Sequence, residues 1–583
     1  MKPISSLFDH ISYAYTIGGV ETVIPVPSEA IAAQQYAADL CGVRCSWTLQ
    51  PREYGYSVRL TLDTAPGIKI QQFCAFRGSL TLPEGMTAAI IGDLNKNFTT
   101  LEDGTAVSSQ SLYLYKAGEG VMARSVYPLD FRDDWTARRQ GSQVTISQNI
   151  VPPESYSVRT LSSPEDYIAV GPLGPAMQEY FSLLPQVWHG QEPVVGYNTW
   201  DYYFTDISEE CVEENLQFIE KTPFLRENLR YFTLDDGWQA IQGDWYPNFR
   251  FPKGLTATAE RIRQAGLIPG IWSAPLHVWT LCSYAQRRMT GYLRDEYGDP
   301  VQQWGMFVLD PTHPDTIAFV RDLYTRLYAA GFRLYKVDYL NAILQTKRFY
   351  DKTATPYGAL RALFRLIREC VHDSVIIGCS LPAEAACPEA DSGRTGIDIH
   401  INWNHACWAM ESLQNRWGEH NRIWVNDIDF LVVRGRDTDN DPQRNTLDPA
   451  RHNPGRGRWR SGEDFSLDEA RSWAAMVLLS GGNVNLSDRL AVLNDTGMDI
   501  LRKVFSARVT ETAVPQDPFM DRYPCVWKQG DRCILINFGE TDRTFTVPSD
   551  HAQKELWTEK TLEPENGCIT VSLRPHESAV LLG

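Results

Sequence analysis

Short apolar runs alternate with longer segments of helical periodicity from residue 194 to about residue 500. Eight apolar runs fit β-strands, at 194–200, 231–235, 267–273, 334–338, 374–379, 396–401, 422–427 and 484–486. Helices are expected between them at 209–220, 256–265, 315–330, 359–372 and 467–479. A helix that follows a strand returns the chain to begin a parallel neighbour, so this alternation predicts an α/β fold with a parallel sheet. Eight strands favour a closed (β/α)8 TIM barrel over an open sheet.

The segments on either side of this region show the two-residue alternation that is typical of antiparallel strands. A chain of 583 residues is also too long for a single hydrophobic core, so several domains are expected. We predict an N-terminal antiparallel β-sandwich domain at 1–188, a catalytic barrel at 189–503 and a small C-terminal β-sandwich domain at 504–583.

The net charge of −17 argues against nucleic acid and anionic membranes as partners, because both would repel an acidic surface. No apolar run is long enough to cross a bilayer, and the first residues lack the apolar core of a secretory signal. We therefore expect a cytoplasmic location, with the 12 scattered cysteines reduced. The formation of a homo-oligomer is left open.

Two aspartates lie on predicted strands at the end where a parallel barrel keeps its functional groups. Asp338 closes the fourth strand, and Asp398 lies on the sixth. Because the carboxyl ends of parallel strands meet at one end of a barrel, these carboxylates are expected to face each other. A pair of carboxyl groups is the minimum that an enzyme needs to cleave a glycosidic bond. Taken alone, either acid fits a loop cap or an ion-pair partner equally well.

Other strand ends carry charged groups and flat aromatic rings. Asp235 ends the second strand and Asp236 follows it, and Lys336 lies two residues before the end of the fourth. Trp200 and Trp272 lie at the ends of the first and third strands. Charged side chains form hydrogen bonds with sugar hydroxyls, and aromatic rings stack on the apolar C–H face of a sugar. This combination of residues therefore predicts a sugar-binding pocket.

Six stretches of this region occur in the order seen in one enzyme clan. They are YFTLDDGW at 231–238, GDW at 243–245, FPKGL at 251–255, GLIPGIW at 266–272, YKVD at 335–338 and WVNDID at 424–429. In these stretches the chain resembles the α-galactosidase clan, glycoside hydrolase families 36 and 27, which are often called melibiases. The likeness runs from about residue 194 to residue 490, and the flanking β-domains resemble family 36 in their arrangement.

The resemblance implies roles for the acids and the lysine. Asp338 matches the nucleophile and Asp398 the general acid/base. Asp235 and Asp236 match the acids that hold the axial O4 and the O6 of galactose. Lys336 matches the lysine that contacts O3 and O4.

The resemblance extends to four further side chains. Arg394 matches an arginine on the O2 side of the sugar, and Trp200 and Trp272 match residues that line the pocket. Asp429 has a weaker match, as an acid behind the strand of the nucleophile.

The loop after the fifth strand departs from the pattern of bacterial family 36 enzymes. Cys379-Ser380-Leu381-Pro382-Ala383-Glu384 stands where a glycine-rich run is common. It resembles the Cys-Ser-x-Pro-Ala version found in the α-N-acetylgalactosaminidases of the sister family. That resemblance implies that Cys379, Ser380 and Ala383 face C2 of the sugar, where the small side chains leave room for an acetamido group.

The resemblance implies a retaining, exo-acting α-galactosidase that works through a glycosyl-enzyme intermediate on small-molecule or oligosaccharide α-galactosides. The implied mechanism requires no metal and no organic cofactor. An α-N-acetylgalactosaminidase and a galactosyl transferase of the raffinose-synthase kind are close alternatives. From other classes, paired acids at a barrel mouth also suit a Mg²⁺-dependent lyase of the enolase type or an inactive sugar-binding module.

A long polar segment at 434–464 follows the seventh strand and is rich in Arg, Asp, Asn, Gly and Pro. Its position at the catalytic end of the barrel is consistent with a substrate lid. Its composition fits a disordered loop equally well.

Overall fold

A parallel sheet of nine strands forms the centre of the computed structural model, which describes residues 4–91, 96–286, 290–346, 348–441 and 462–583. In order of pairing, its strands are Val425–Asp427, Ser392–Arg394, Val375–Gly378, Leu334–Val337, Ile268–Ser273, Tyr231–Leu234, Val195–Asn198, Val484–Leu486 and Phe430–Leu431. Antiparallel sheets lie before and after it in the chain. The predicted α/β class with flanking antiparallel sheets is therefore confirmed.

The two strands at opposite ends of the parallel sheet are neighbours along the chain. Val425–Asp427 pairs with Ser392–Arg394, whereas Phe430–Leu431 pairs with Val484–Leu486. Only two residues separate the two end strands, and one of them, Asp429, bends the chain with a φ of +93°. The sheet must therefore curl until its two ends meet at this one short segment.

The predicted sixth strand is wrong. The chain is extended at Ser392–Arg394, and 396–401 forms a loop that carries Asp398. The strand escapes detection because it contains no apolar side chain. Gly393 lies against the indole of Trp424, where an added Cβ would come within 2.2 Å of the ring. The other seven predicted strands agree with observed strands to within a few residues.

Helices follow most of the parallel strands. The main ones are Glu209–Lys221, Pro223–Asn228, Gly254–Gln264, Pro314–Ala329, Pro356–Val371, Trp403–Arg416, Leu467–Ser480 and Asp495–Ala507. Local sequence sets their starts, since Thr355 caps one helix and Ser466 forms a capping box with Glu469 at another. All five predicted helices are present. Within the part of the chain that the structure describes, no helix is long and apolar enough to span a membrane.

Two antiparallel sheets form the N-terminal part. One contains Val20–Pro25, His10–Ile17, Gln72–Thr81, Gln143–Ile150, Asp133–Gln140 and Gly104–Ser109. The other contains Gln35–Leu40, Val43–Pro51, Gly55–Thr64, Glu165–Pro172, Glu119–Val126, Ser111–Lys116, Thr87–Ile91, Lys96–Thr100 and Thr160–Ser162. Both sheets contribute buried side chains to one hydrophobic core, so they pack face to face.

The central strands of the second sheet, Ser111–Lys116 and Glu119–Val126, are buried on both faces. Leu112 and Leu114 point into the core between the two sheets. Tyr113 and Tyr115 point the other way, into the larger core around the parallel sheet. Because successive residues of a strand face opposite sides, one strand joins the two cores. Helix Leu173–Leu183 belongs to this larger core.

Short antiparallel strands form the C-terminal part. They are Val514–Pro515, Val526–Gln529, Arg532–Ile536, Ser578–Leu582, Gln553–Glu555 and Thr561–Leu562, with Arg543–Pro548 paired to Cys568–Leu573. Trp527 and Ile534 point into the larger core, whereas Cys533 and Leu535 point into a small separate one. The boundaries at 188 and 503 stay predictions.

Two carboxyl groups are buried together between the N-terminal sheets. The hydroxyl of Ser125 lies within hydrogen-bond distance of both Asp133 and Asp166, and the amide of Gln148 contacts both as well. A hydroxyl carries one hydrogen and cannot donate to both acids at once. Burial raises the pKa of Asp133 to about 7, and burial together with the nearby Asp133 raises the pKa of Asp166 well above its ordinary value. Below pH 7, at least one of these carboxyl groups therefore holds a proton in the folded protein.

This proton makes stability depend on pH. An aspartate with an unfolded pKa of about 3.9 and a folded pKa of about 7 stabilises the fold fully below pH 4. That contribution is lost as the pH rises to 7, at up to about 1.4 kcal/mol per pH unit. Asp133→Asn keeps the shape and removes the titration, so its melting temperature should rise relative to wild type between pH 4 and 7.

The measurement is calorimetry across this pH range, with Asp134→Asn as the matched control. Asp134 is the next residue and is partly exposed, so its variant removes the same charge outside the buried pair. A constant difference between Asp133→Asn and wild type at every pH would show that Asp133 holds no proton in the fold.

Candidate active site

The carboxyl ends of the parallel strands bring the sequence-predicted acids to one end of the sheet. Asp235 follows Tyr231–Leu234 directly, and Asp338 follows Leu334–Val337. Trp272 lies on Ile268–Ser273, which pairs with both of these strands. The three side chains therefore come from three adjacent strands.

Asp338 is a buried carboxylate with three donors. The indole Nε1 of Trp272 donates to Oδ2 at 3.0 Å. The hydroxyl of Ser380 and the backbone N–H of Tyr339 donate to Oδ1 at 3.0 and 2.7 Å. These bonds fix both oxygens, so the orientation of the carboxylate is set before any ligand arrives.

Asp398 is held differently. The guanidinium of Arg394 donates to its Oδ1 at 3.0 Å, and the indole of Trp200 donates to Oδ2 at 3.2 Å. Its own backbone carbonyl lies 2.9 Å from Nδ1 of His405, which anchors the loop. The side chain of Asp398 is 32% exposed, so solvent and ligands reach it.

Lys336 is paired with Asp235. Its Nζ donates to Oδ2 of Asp235 at 2.8 Å, and the amide of Asn198 donates to the same oxygen. Burial alone would lower the pKa of the Lys336 ammonium, but the carboxylate of Asp235 raises it above its ordinary value. Asp236 accepts from Gln239 at 2.5 Å and from Gln242 at 3.4 Å. Both acids of this predicted pair are thus tied to neighbouring polar side chains.

Arg394 joins three parts of the site. Beside its bond to Asp398, its Nη1 lies 2.9 Å from Asp429 and 3.5 Å from the sulfur of Cys379. Burial would lower the pKa of the guanidinium, but Asp429 raises it well above the ordinary value. Asp429 also accepts from the backbone N–H of Ile399 at 2.6 Å and is only 1% exposed. Its visible role is therefore to hold Arg394 and the loop that carries Asp398.

The loop after the fifth strand brings Cys379 and Ser380 to the site. Ser380 adopts a left-handed conformation, with a φ of +56°, and points its hydroxyl at Asp338. Ala383 begins the 3₁₀ turn Ala383–Ala385 and is completely buried. The predicted contact of these residues with C2 of a sugar stays a prediction.

A buried cluster of charges holds this loop from its other side. Glu384 contacts Arg416 and the hydroxyl of Tyr127, each at 3.3 Å. The same hydroxyl donates to Glu419 at 2.8 Å, and Arg124 pairs with Glu419 at 3.0 Å. Arg124 and Tyr127 belong to the N-terminal part, so the antiparallel sheets bear on the loop that contacts Asp338.

Sequence reasoning missed several polar contacts of the acids. Asn198 and Tyr339 adjoin strand ends that the prediction examined, and Gln239 and Gln242 follow the Asp235–Asp236 pair. Their closeness in sequence to the acids was the available signal. It shows that a residue is near the site but not which oxygen it contacts.

The predicted lid is only partly visible, because 442–461 lie outside the described residues. Its first residues are built into the protein. Arg434 is buried and pairs with Asp488 at 2.6 Å and with Asp201. Asp201 also lies 3.2 Å from Nδ1 of His400, on the loop beside Asp398. Whether the remainder acts as a lid stays a prediction.

No protein-family model matches the chain. Among curated proteins, an α-galactosidase of Cyamopsis tetragonoloba is 32% identical over 124 residues. The match spans 20% of this chain and 29% of the length of that relative. Less than a third of that protein is therefore matched.

Solved structures match far more of the chain. An α-galactosidase of Thermus thermophilus in complex with p-nitrophenyl α-D-galactopyranoside has a TM-score of 0.59 at 20% identity, covering 81% of this chain and 94% of that one. A family 36 α-galactosidase of Geobacillus stearothermophilus has a TM-score of 0.61 at 12% identity. The match covers 98% of this chain and 83% of that one. The predicted resemblance to α-galactosidases, a group of glycoside hydrolases, is confirmed, and at these identities the structural likeness concerns the fold.

Proposed function

We propose that the chain is a retaining, exo-acting α-galactosidase whose parallel sheet is a closed (β/α)8 barrel. Asp338 is the nucleophile and Asp398 the general acid/base. The observation that carries this proposal is the pair of contrasting environments. Asp338 is buried under three donors, whereas Asp398 is partly exposed between Arg394 and Trp200. A carboxylate held by hydrogen bonds suits the nucleophile, and a solvent-accessible acid suits proton transfer to the leaving oxygen and from water.

In the first step, a carboxylate oxygen of Asp338 bonds to the anomeric carbon and the glycosidic C–O bond breaks. Asp398 gives its proton to the departing oxygen. In the second step, Asp398 takes a proton from water, the new hydroxide attacks the same carbon, and the ester to Asp338 breaks. Two inversions at one carbon restore the α configuration.

The pairing of Lys336 with Asp235 supports a preference for galactose. Lys336 and Asn198 both donate to Oδ2 of Asp235, and the backbone N–H of Asp236 donates to Oδ1. Because each carboxylate oxygen accepts two hydrogen bonds, Oδ1 can accept one more, from a ligand hydroxyl. An axial O4 hydroxyl of galactose would donate to Asp235 and accept from the adjacent ammonium of Lys336. An equatorial hydroxyl would point elsewhere and leave the remaining acceptor position of Asp235 unfilled, which disfavours sugars without the axial hydroxyl.

The hydroxyl of Ser380 favours a 2-hydroxyl over a 2-acetamido group. Its single hydrogen is already donated to Asp338, so it cannot also be donated to an acetamide carbonyl. Ala383 is fully buried and offers no exposed methyl face to such a group. A panel of aryl α-glycosides tests the choice, and the galactoside should be hydrolysed faster than the N-acetylgalactosaminide, the glucoside and the arabinopyranoside.

Asp338→Ala should reduce the hydrolysis of an aryl α-galactoside on the order of 10³-fold or more, because it removes the nucleophile. Added azide should restore turnover and yield the β-galactosyl azide, detected by NMR. Asp373→Ala is the matched control, since Asp373 is exposed just before strand Val375–Gly378, at the opposite end of the sheet. Near-normal hydrolysis by Asp338→Ala would remove this residue from the mechanism.

Asp398→Ala should depend on the leaving group. A nitrophenolate departs without protonation, whereas a sugar alkoxide does not, so kcat/KM should fall far more on raffinose than on the aryl galactoside. Steady-state kinetics on both substrates measures the difference. Equal losses would mean that Asp398 does not protonate the leaving oxygen.

A further inference from the structure

An exposed tryptophan lies at the tip of a small hairpin after the third strand. The hairpin consists of Gln302–Gln303 and Met306–Val308, and His277–Val278 pairs with its second strand. Trp304, in the turn, is 58% exposed and has a φ of +51°. A bulky side chain in the left-handed region is a backbone outlier, and such outliers concentrate where a side chain has a function.

A short series of ring contacts connects Trp304 to the carboxylate of Asp338. The rings of Trp304 and Tyr339 lie 4.8 Å apart between centroids, and those of Tyr339 and Trp272 lie 5.8 Å apart. Trp272 donates to Asp338. The exposed indole therefore stands two rings away from the proposed nucleophile, outside the buried part of the site.

The hairpin that carries Trp304 is fixed on one side by a histidine. Nε2 of His277 donates to Oε1 of Gln303 at 2.8 Å. Burial lowers the pKa of His277 to about 4, so the ring is neutral and keeps this geometry at physiological pH. The rings of His277 and Trp304 are also roughly parallel, with centroids 6.0 Å apart.

The other side of the hairpin is connected to Asp236. A Cβ built on Gly305 would lie 3.5 Å from the ring of Trp279, so the turn rests on that indole. Trp279 donates to Gln242 at 2.6 Å, and Gln242 donates to Asp236. Contacts thus run from the hairpin to the proposed nucleophile, Asp338, on one side and to the proposed sugar-binding acid Asp236 on the other.

We propose that Trp304 forms a subsite for the leaving group, stacking on the sugar that is attached to the terminal galactose. The negative face of an indole attracts the C–H groups on one face of a pyranose, and a broad exposed ring covers most of that face. This inference rests on the proposed α-galactosidase activity. The ligand it names is an α-galactosyl oligosaccharide, rather than a galactoside with a small leaving group.

The test compares kcat/KM for raffinose with kcat/KM for α-D-galactosyl fluoride, whose leaving group has no ring. Trp304→Ala should lower the ratio of the two values about tenfold, as expected for one lost stacking contact. Trp304→Phe keeps a flat ring and should lower it less. Trp304→Gly, which suits the backbone of this turn, repeats the test if the alanine variant folds poorly.

Tyr297→Ala is the matched control, because Tyr297 is an 83% exposed aromatic residue on a neighbouring turn. Its variant should keep the wild-type ratio. An unchanged ratio in Trp304→Ala, or equal losses on both substrates, would overturn the subsite and leave the proposed activity standing. A wild-type chain that cleaves neither substrate would overturn the proposed activity, and the subsite with it.

Discussion

Several aspartate side chains are buried close together at the C-terminal ends of the parallel strands. Two buried cations stabilise this cluster of negative charge. Lys336 pairs with Asp235, and Arg394 pairs with Asp429. Removing one member of such a buried pair lowers the free energy of unfolding by roughly 3–5 kcal/mol. Each cation is therefore held beside its carboxylate. Asp338 has no such cation among its hydrogen-bond donors and is held by neutral groups instead. A negative oxygen is thereby left available for bond formation.

The antiparallel sheets of the N-terminal part share in positioning the site. The backbone N–H of Leu129 donates to the carbonyl of Glu384 at 2.9 Å, and the side chain of Arg361 bridges Leu129 and Ala385. Together with the buried cluster around Glu384, these bonds hold the outer side of the loop whose inner side presents Ser380 to Asp338. Burying polar groups costs more free energy of desolvation than burying apolar side chains. In return, the hydrogen bonds of the cluster hold the loop in one conformation, which a loop at a reaction centre requires.

Strands rich in apolar residues were predictable from sequence, whereas the contacts between them were not. The sixth strand, Ser392–Arg394, lacks an apolar side chain, and helix Trp403–Arg416 buries Glu411 and Asn415 among its apolar residues. Both therefore lack the periodic signal that sequence reading uses. The acids at strand ends were found because strand direction fixes their location. That Lys336 pairs with Asp235 depends on which side chains meet across strands, and the order of residues along one strand does not contain this information.

Left-handed backbone at residues other than glycine recurs around this end of the sheet. Tyr339 follows the fourth strand, Ser380 follows the fifth, and Asp429 lies between Val425–Asp427 and Phe430–Leu431, with φ values of +58°, +56° and +93°. Each such residue costs about 1–3 kcal/mol, which the surrounding packing must offset. Each also contributes a bond or ring contact to Asp338, Arg394 or Trp272. Glycine would adopt these turns at lower cost but could supply no side chain, so the strain follows from placing a functional group directly at the end of a strand.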